Sequence, residues 1–245
     1  KNQKKEKYLP DIFKISHDNK KSFNYILCDE KEMLGINTIK DFNKIDKIYQ
    51  NNLKDKFIAK SVKFIDPESI RLSYDTKIGK NSIIEAFTNI KKGVSIGKNV
   101  IIKSHSYIES CSIYNNSSVG PFARIRPNSK ILQNVKIGNF VEIKNSTIGK
   151  NSSISHLSYV GDSILGSNIT IGAGTITCNF DGKKKNTTII ENNVFVGSNC
   201  SLIAPVMIKK NSKIGAGSVI TQNIPTNSLA LSRAKLRITS KFKKL

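Results

Sequence analysis

Two hydrophobic periods divide this chain. Up to about residue 60 the apolar positions form short, unlike stretches. Tyr8 to Ser16 reads as a short helix, and Phe23 to Cys28 alternates as a strand does. From Thr38, an N-cap residue type, Ile39, Phe42, Ile45, Tyr49, Leu53 and Phe57 follow helical spacing. They predict a long amphipathic helix that needs a surface to pack on. From Ile78 the period is six. Ile78, Ile84, Ile90, Ile96, Ile102 and Ile108 form one series, and Val119, Ile125, Ile131, Ile137 and Ile143 a second. Ile148, Ile154 and Val160 follow after a step of five, then Leu165, Ile171 and Thr177, and finally Ile190, Val196, Leu202, Ile208, Ile214 and Ile220.

A repeat this regular predicts a solenoid. A hexad is too short for a hairpin or a helix pair, but it suits one flat side of a coil, a short strand and a turn, with the aliphatic residue inward. Three sides make a coil of about 18 residues, and successive coils stack at the strand spacing of roughly 4.8 Å. The expected fold is mainly β: a parallel β-helix of triangular section, preceded by a small α/β segment and a linking helix. Gly79, Gly97, Gly120, Gly138, Gly149 and Gly215 follow aliphatic positions, where a tight bend is expected. The stretch CNFDGKKKNTT, 178–188, fits no hexad and is expected to project as a loop.

Stacking converts spacing into columns. One runs Val119, Ile137, Ile154, Ile171, Val196, Ile214; the next runs Ile125, Ile143, Val160, Thr177, Leu202, Ile220. Two residues beyond the first column, from Ile154 upward, stand His156, Ala173, Ser198 and Ala216. These four predict a groove of small residues, roughly 14 Å long at one strand spacing per coil, with an imidazole at its foot. One residue beyond the second column stand Arg126 and Lys144, stacked like charges that an anion would have to bridge. One residue before it stand Glu142 and Tyr159. The count gathers His156, Tyr159, Glu142, Arg126 and Lys144 near one edge, with Glu142 in line to orient His156 or a substrate amine.

Charge and composition narrow the chemistry. The net charge of +22 is uneven, with +4 over residues 1–76 and +18 over residues 77–245. Such a field attracts anions; a bias toward Lys and Asn accounts for it equally well. No nucleic-acid motif accompanies it, Trp is absent and aromatic residues are sparse, so small phosphorylated ligands are the expected partners. No apolar stretch is long enough to span a membrane, and no apolar stretch follows the charged residues 1–7 as in a secretory signal. Cys28, Cys111, Cys178 and Cys200 lie far apart without a CxxC pair, as in a reduced cytoplasmic protein. The chain begins at Lys1, as a piece of a longer protein would.

The segments GPFARIRP, GNFVEIK, SHLSYVGD, IGAGTITCNFDG, VFVGSNCSLIAPV and ALSRA occur together and in order on this repeat. They resemble the bacterial bifunctional enzymes that make UDP-N-acetylglucosamine, used for peptidoglycan and lipopolysaccharide, across their acetyltransferase half. The resemblance implies a left-handed coil, whereas the general rule for parallel crossovers favours the opposite hand. It implies acetyl transfer from acetyl-coenzyme A to the amine of glucosamine-1-phosphate, with His156 as general base. Arg126, Lys144 and Tyr159 are implied as sugar-phosphate binders, with Lys185 reaching a neighbouring subunit of a homotrimer. Ala173, Asn179, Phe180, Ser198, Ala216 and Arg233 match the coenzyme site. Thr170 stands where the family usually has an asparagine contacting the sugar, and Phe180 where a tyrosine is common.

Residues 1–60 resemble the end of the family's uridyltransferase domain, through KYLPDIFKI and EMLGINTIKDF. The Gly-rich nucleotide loop of that domain is absent, since no glycine precedes Gly35. Asn37 matches a residue that helps bind magnesium and the nucleotide sugar, but a lone Asn does not hold a catalytic metal. The expected organisation is 1–60 as a uridyltransferase remnant and linker helix, 61–228 as the acetyltransferase β-helix and 229–245 as a tail.

Without the resemblance, the residues leave three readings open: an acyltransferase with another acceptor, a metal-dependent hydratase, or a solenoid with no chemistry. A hydratase needs a histidine triad, and only His105 and His156 lie in the repeat. Arg126, Lys144 and Lys185 favour a phosphorylated acceptor over a neutral one.

Overall fold

The computed structural model describes residues 8–236; the sequence readings made on residues 1–7 and 237–245 lie outside them. The chain divides into two units, Lys1–Lys47 and Ile48–Leu245.

In the first unit, helix α1 spans Asp11–Asp18, after Tyr8, Leu9 and Pro10 have formed a turn. It starts and ends later than the apolar pattern indicates, because Pro10 is tolerated only at a helix start. Phe23 to Cys28 is not a strand, and Tyr25, Ile26 and Leu27 are exposed. Its alternation is real, but no described residue of this unit pairs with it, and a lone strand leaves its backbone to water. Helix α2, Ile39–Ile58, begins as expected. Thr38 Oγ1 accepts the Asp41 N–H at 3.1 Å, and the Asp41 carboxylate accepts the Thr38 N–H at 2.9 Å, a reciprocal cap. This arrangement holds the Asp41 carboxyl below its usual range, chiefly through the Thr38 hydroxyl.

The second unit is the solenoid with the C-terminal part of α2. Among the described residues its strands form three parallel sheets of ten, nine and eight strands, one per face of a triangular prism. Both columns appear in the expected register, for example Ile137 beside Ile154 and Ile143 beside Val160. Corner residues are buried, many of them completely. Each removes from water the surface of a large aliphatic side chain, about 1.5–3 kcal/mol of stabilisation apiece. Thr177, the polar member of its column, is buried because its Oγ1 accepts the Gly161 N–H at 2.8 Å. Ile113 joins the core too, five residues after Ile108, and links the two hexad series.

The bends correct two expectations. Several glycines are required by close approach between coils: a Cβ on Gly138 would lie 1.9 Å from the Ser155 carbonyl oxygen, and on Gly149 2.1 Å from that of Gly166. Asparagines supply much of the left-handed backbone instead, with φ near +60° at Asn134, Asn151, Asn168, Asn193, Asn211 and Asn227. Their amides form one ladder up the prism, Nδ2 to Oδ1, at 2.9–3.2 Å. Asparagine usage therefore has a structural cause, not only a compositional one. Another corner carries Phe87, His105, Phe122 and Phe140, all left-handed, their rings stacked at 4.9, 4.7 and 5.2 Å.

The surface that α2 needs is the first coil. Gln50 pairs with the Leu72 backbone through both its amide groups, at 2.9 and 3.0 Å, and Lys54 Nζ donates to the Pro67 carbonyl. Phe57 completes the contact. The buried stripe is thus partly polar, because the end of a stack presents backbone groups as well as aliphatic ones.

Candidate active site

His156 ends the strand Ser153–His156, where the coil turns at left-handed Leu157. Its Nδ1 lies 2.5 Å from Asn139 Oδ1, directly below it in the sheet. An amide oxygen only accepts, so the ring donates from Nδ1 and keeps the Nε2 lone pair free. His156 is exposed and borders a cleft of ≈ 330 Å³ with Asn139, Phe122, Phe140, Lys103 and Lys136. Above it, the register places Ala173, Ser198 and Ala216 on successive coils. Arg233 Nη1 donates to the Ala216 carbonyl at 3.0 Å and so sits at the top of this column.

The cations gather elsewhere. Arg126 Nη1 meets Glu142 Oε1 at 2.8 Å, each side chain 30% exposed. That carboxylate holds the Arg126 guanidinium even more firmly charged than usual. Arg126 Nε is buried and has no partner among the described residues. Lys144 has the Lys185 ammonium beside it, which pushes its pKa below the usual lysine range; Arg126 adds to the effect and Asp162 opposes it. Lys185 and Asp162 line a polar cleft of ≈ 630 Å³ with Lys130, Asn128 and Asn145. Tyr159 OH leans the same way, 3.5 Å from Asn179 Nδ2.

Glu142 therefore serves Arg126 and not His156. Arg124 and Arg126 point to the same side of one strand, and Arg124 pairs with Glu142 in register, so Arg126 is the diagonal neighbour. Tyr159, with Glu142 stacked on it, follows His156 just across the Leu157 corner, and Lys144 lies beside Gly161 further along that face. Left-handed Leu157 and Asp162 mark consecutive corners. The five-residue step between them makes one whole face, roughly 16 Å. His156 stands at one corner, and Lys144 with Lys185 at the next. Lys185 lies beside Lys144 of its own chain, because the 179–187 loop folds back: Phe180 and Lys185 bridge antiparallel, and the Asn186 N–H donates to the Asn179 carbonyl at 2.7 Å. Asp181 accepts the Lys183 and Lys184 N–H groups at 2.8 and 2.9 Å, which lowers its pKa to about 2.

The remaining candidates are distributed as follows. Asn179 is buried and bonded to Asp162, on the cation side and away from the His156 column. Phe180 is exposed on the loop, and Thr170 is exposed between Ser153 and Phe195 on the His156 face. Asn37 lies in the first unit, its N–H directed at Asp41, whose carboxylate Thr38 already engages. Among the described residues no three His, Cys, Asp or Glu side chains converge, so this donor set does not fit a magnesium ion. Burial pushes the Cys111 thiol up to about 12, which removes it as a nucleophile.

Sequence reasoning missed Asn139 and Asp162. Asn139 was available from the same column one coil below His156. Asp162 follows Asn128 and Asn145 at steps of 17 residues, a corner column that the aliphatic count does not use.

These coils define the class: a hexapeptide-repeat β-helix protein. Residues 75–110 and 187–222 match the bacterial transferase hexapeptide family, and residues 107–181 match the GMPPB C-terminal domain. The fold is the left-handed parallel β-helix of the LpxA acyltransferases. LpxA from Acinetobacter baumannii superposes with a TM-score of 0.53 at 16% identity, over 69% of this chain and 71% of that one. The Arabidopsis UDP-N-acetylglucosamine acyltransferase superposes with a TM-score of 0.51 at 16% identity, over 72% of each chain. Sequence likeness is far closer to the bifunctional GlmU proteins. That of Thermosipho africanus is 43% identical over 96% of this chain and 55% of its own length, and that of Bradyrhizobium diazoefficiens 49% identical over 95% and 51%. The chain belongs to the GlmU family, matching its C-terminal half. It spans about half the length of these relatives.

Proposed function

We propose that this chain acetylates the amine of glucosamine-1-phosphate, using acetyl-coenzyme A as co-substrate and His156 as general base. The observation that carries the reading is the Asn139–His156 bond, which leaves Nε2 free at the foot of a column of small residues. Ala173, Ser198, Ala216 and Arg233 are the residues for the coenzyme, with room for a long thin molecule along the column. The cation corner, with Arg126, Lys144, Lys185 and Tyr159, suits the sugar phosphate. Thr170 stands on the His156 face as an acceptor contact, and Asn179 and Phe180 belong to the loop by the cations.

In the reaction the neutral amine forms the C–N bond to the thioester carbonyl carbon. The C–S bond then breaks and the thiolate leaves. His156 accepts the amine proton and returns it to the sulfur. Alignment of the two substrates supplies much of the rate.

One face of the prism, roughly 16 Å, separates base and cations, which leaves room for a neighbouring copy to complete each site. This supports a homotrimer in which each site joins the His156 corner of one copy to the cation corner of the next. The residues present favour neither nucleic acid nor membrane partners, no described helix is long and apolar enough to cross a membrane, and a cytoplasmic setting suits the reaction. Uridyl transfer forms no part of the reading, since the Asn37 region lacks the donors for its metal.

The test measures acetyl-coenzyme A consumption with glucosamine-1-phosphate, glucosamine and serine. Only the first should be turned over efficiently. The His156→Ala variant should lose about 10²–10⁴-fold in kcat while still binding coenzyme A. Full activity in that variant overturns the assignment.

A further inference from the structure

Asp162 occupies a position that no part of the reaction above uses. It is a left-handed corner residue, and its contacts converge from four directions. Its N–H donates to the Lys144 carbonyl at 3.0 Å. One carboxylate oxygen accepts Asn145 Nδ2 at 2.5 Å, and the other accepts Asn179 Nδ2. Its carbonyl accepts the Thr188 N–H at 3.3 Å. Asn179 opens the inserted loop and Thr188 follows its end, so both ends of the segment that carries Lys185 are tied to one residue. The carboxylate also favours the charged form of Lys144, against the Lys185 and Arg126 cations. The other charged side chain in the cleft is Lys130.

We propose that Asp162 is a positioning residue for the anion site: it fastens the Lys185 loop at both ends and supplies the negative charge that lets Lys144 and Lys185 stand side by side as ammonium ions. An oxyanion of the substrate then meets two charged lysines held at a fixed separation. This rests on the acceptor reading above, because the cation corner is taken as the sugar-phosphate site.

Two experiments decide it. The first follows Asp162→Asn in steady-state acetyl transfer across pH at constant ionic strength. Lys144 already titrates low because of Lys185, and loss of the Asp162 charge lowers it further. The acceptor KM should therefore rise, by about tenfold on the alkaline side where Lys144 loses its proton. The alkaline fall of kcat/KM for the acceptor should move to lower pH, while the KM for acetyl-coenzyme A stays within about twofold. Asp162→Glu should recover most of the alkaline limb. An Asp162→Asn enzyme with an unmoved pH profile, or one that loses kcat and both KM values alike, overturns the proposal in favour of a structural role. The second experiment titrates the Lys144 ammonium by ¹⁵N NMR with no substrate present, in the wild type, Asp162→Asn and Lys185→Met. The midpoint should fall in Asp162→Asn and rise in Lys185→Met; identical midpoints refute the charge argument. If the wild type fails to acetylate glucosamine-1-phosphate, the acceptor reading falls, and the titration still decides the role of Asp162. If Asp162→Asn does not fold, Asn179→Ala, which cuts the tie at the start of the loop and leaves the charge, decides: the acceptor KM should rise with the acetyl-coenzyme A KM unchanged, and an unchanged acceptor KM overturns the proposal.

Discussion

The His156 corner and the Asp162 corner lie on the same coils, one face apart, and are built from opposite materials. The first is built on stacked rings, Phe122 and Phe140, with two lysines, Lys103 and Lys136, at its cleft, and its base is held by a single amide. The second is lined by amides, a carboxylate and three cations whose charges press on one another. Both corners make the same left-handed turn. The backbone repeat therefore specifies only a position, and the residue placed there decides whether the position handles a proton or an anion. The crowded cations of the second cluster stay out of the cleft of His156, where Lys103 and Lys136 are the charged neighbours.

This contrast can be broken most severely by separating the corners onto different chains. Lys144→Met should raise the acceptor KM by roughly 10–100-fold, the range for losing a charge-assisted contact, and His156→Ala should be nearly inactive. Mixed after dissociation and reassembly, the two variants should regain a substantial part of wild-type activity. No recovery would mean that both corners of one chain serve the same site.

A smaller effect sharpens the proton side. Asn139→Ala should lower kcat about tenfold with the acceptor KM little changed, because it removes the group that orients the imidazole. Equal loss in kcat/KM for both substrates, with no kcat effect, would remove Asn139 from the proton path. The smallest effect concerns the turn. Phe122→Asn should change stability by no more than about 1 kcal/mol, since relief of the left-handed conformation offsets the lost ring stacking. Denaturant unfolding measures this, and a change above about 3 kcal/mol would make the aromatic corner a principal support of the coil.

Much of this was legible in the amino-acid order. The six-residue spacing placed the Ile137–Ile154–Ile171 column and, through it, His156 beneath Ala173, because burial imposes one inward position per face. Ile113 stands six residues before Val119 and so begins the second series, but the five-residue step from Ile108 hides it when the count runs forward. The split between base and cations escaped for a geometric reason: adjacency along the chain, from His156 to Tyr159 and Asp162, runs across a whole face of the prism. Side-chain direction did the rest, since Glu142 stacks under Tyr159 in register and yet turns to Arg126. Phe23 to Cys28 shows the converse, a correct local pattern without the partner that would make it a strand.

The amide ladder joins Asn151 to Asn168 across 17 residues and Asn168 to Asn193 across 25, at 3.2 and 2.9 Å. The coil bearing the Lys185 loop consumes more chain than its neighbours and gains no height. Elevation along the prism is thus counted in turns, independent of contour length. Residues can be added to or removed from that loop, altering what hangs over the anion site, while the rise from His156 to Ser198 remains two strand spacings.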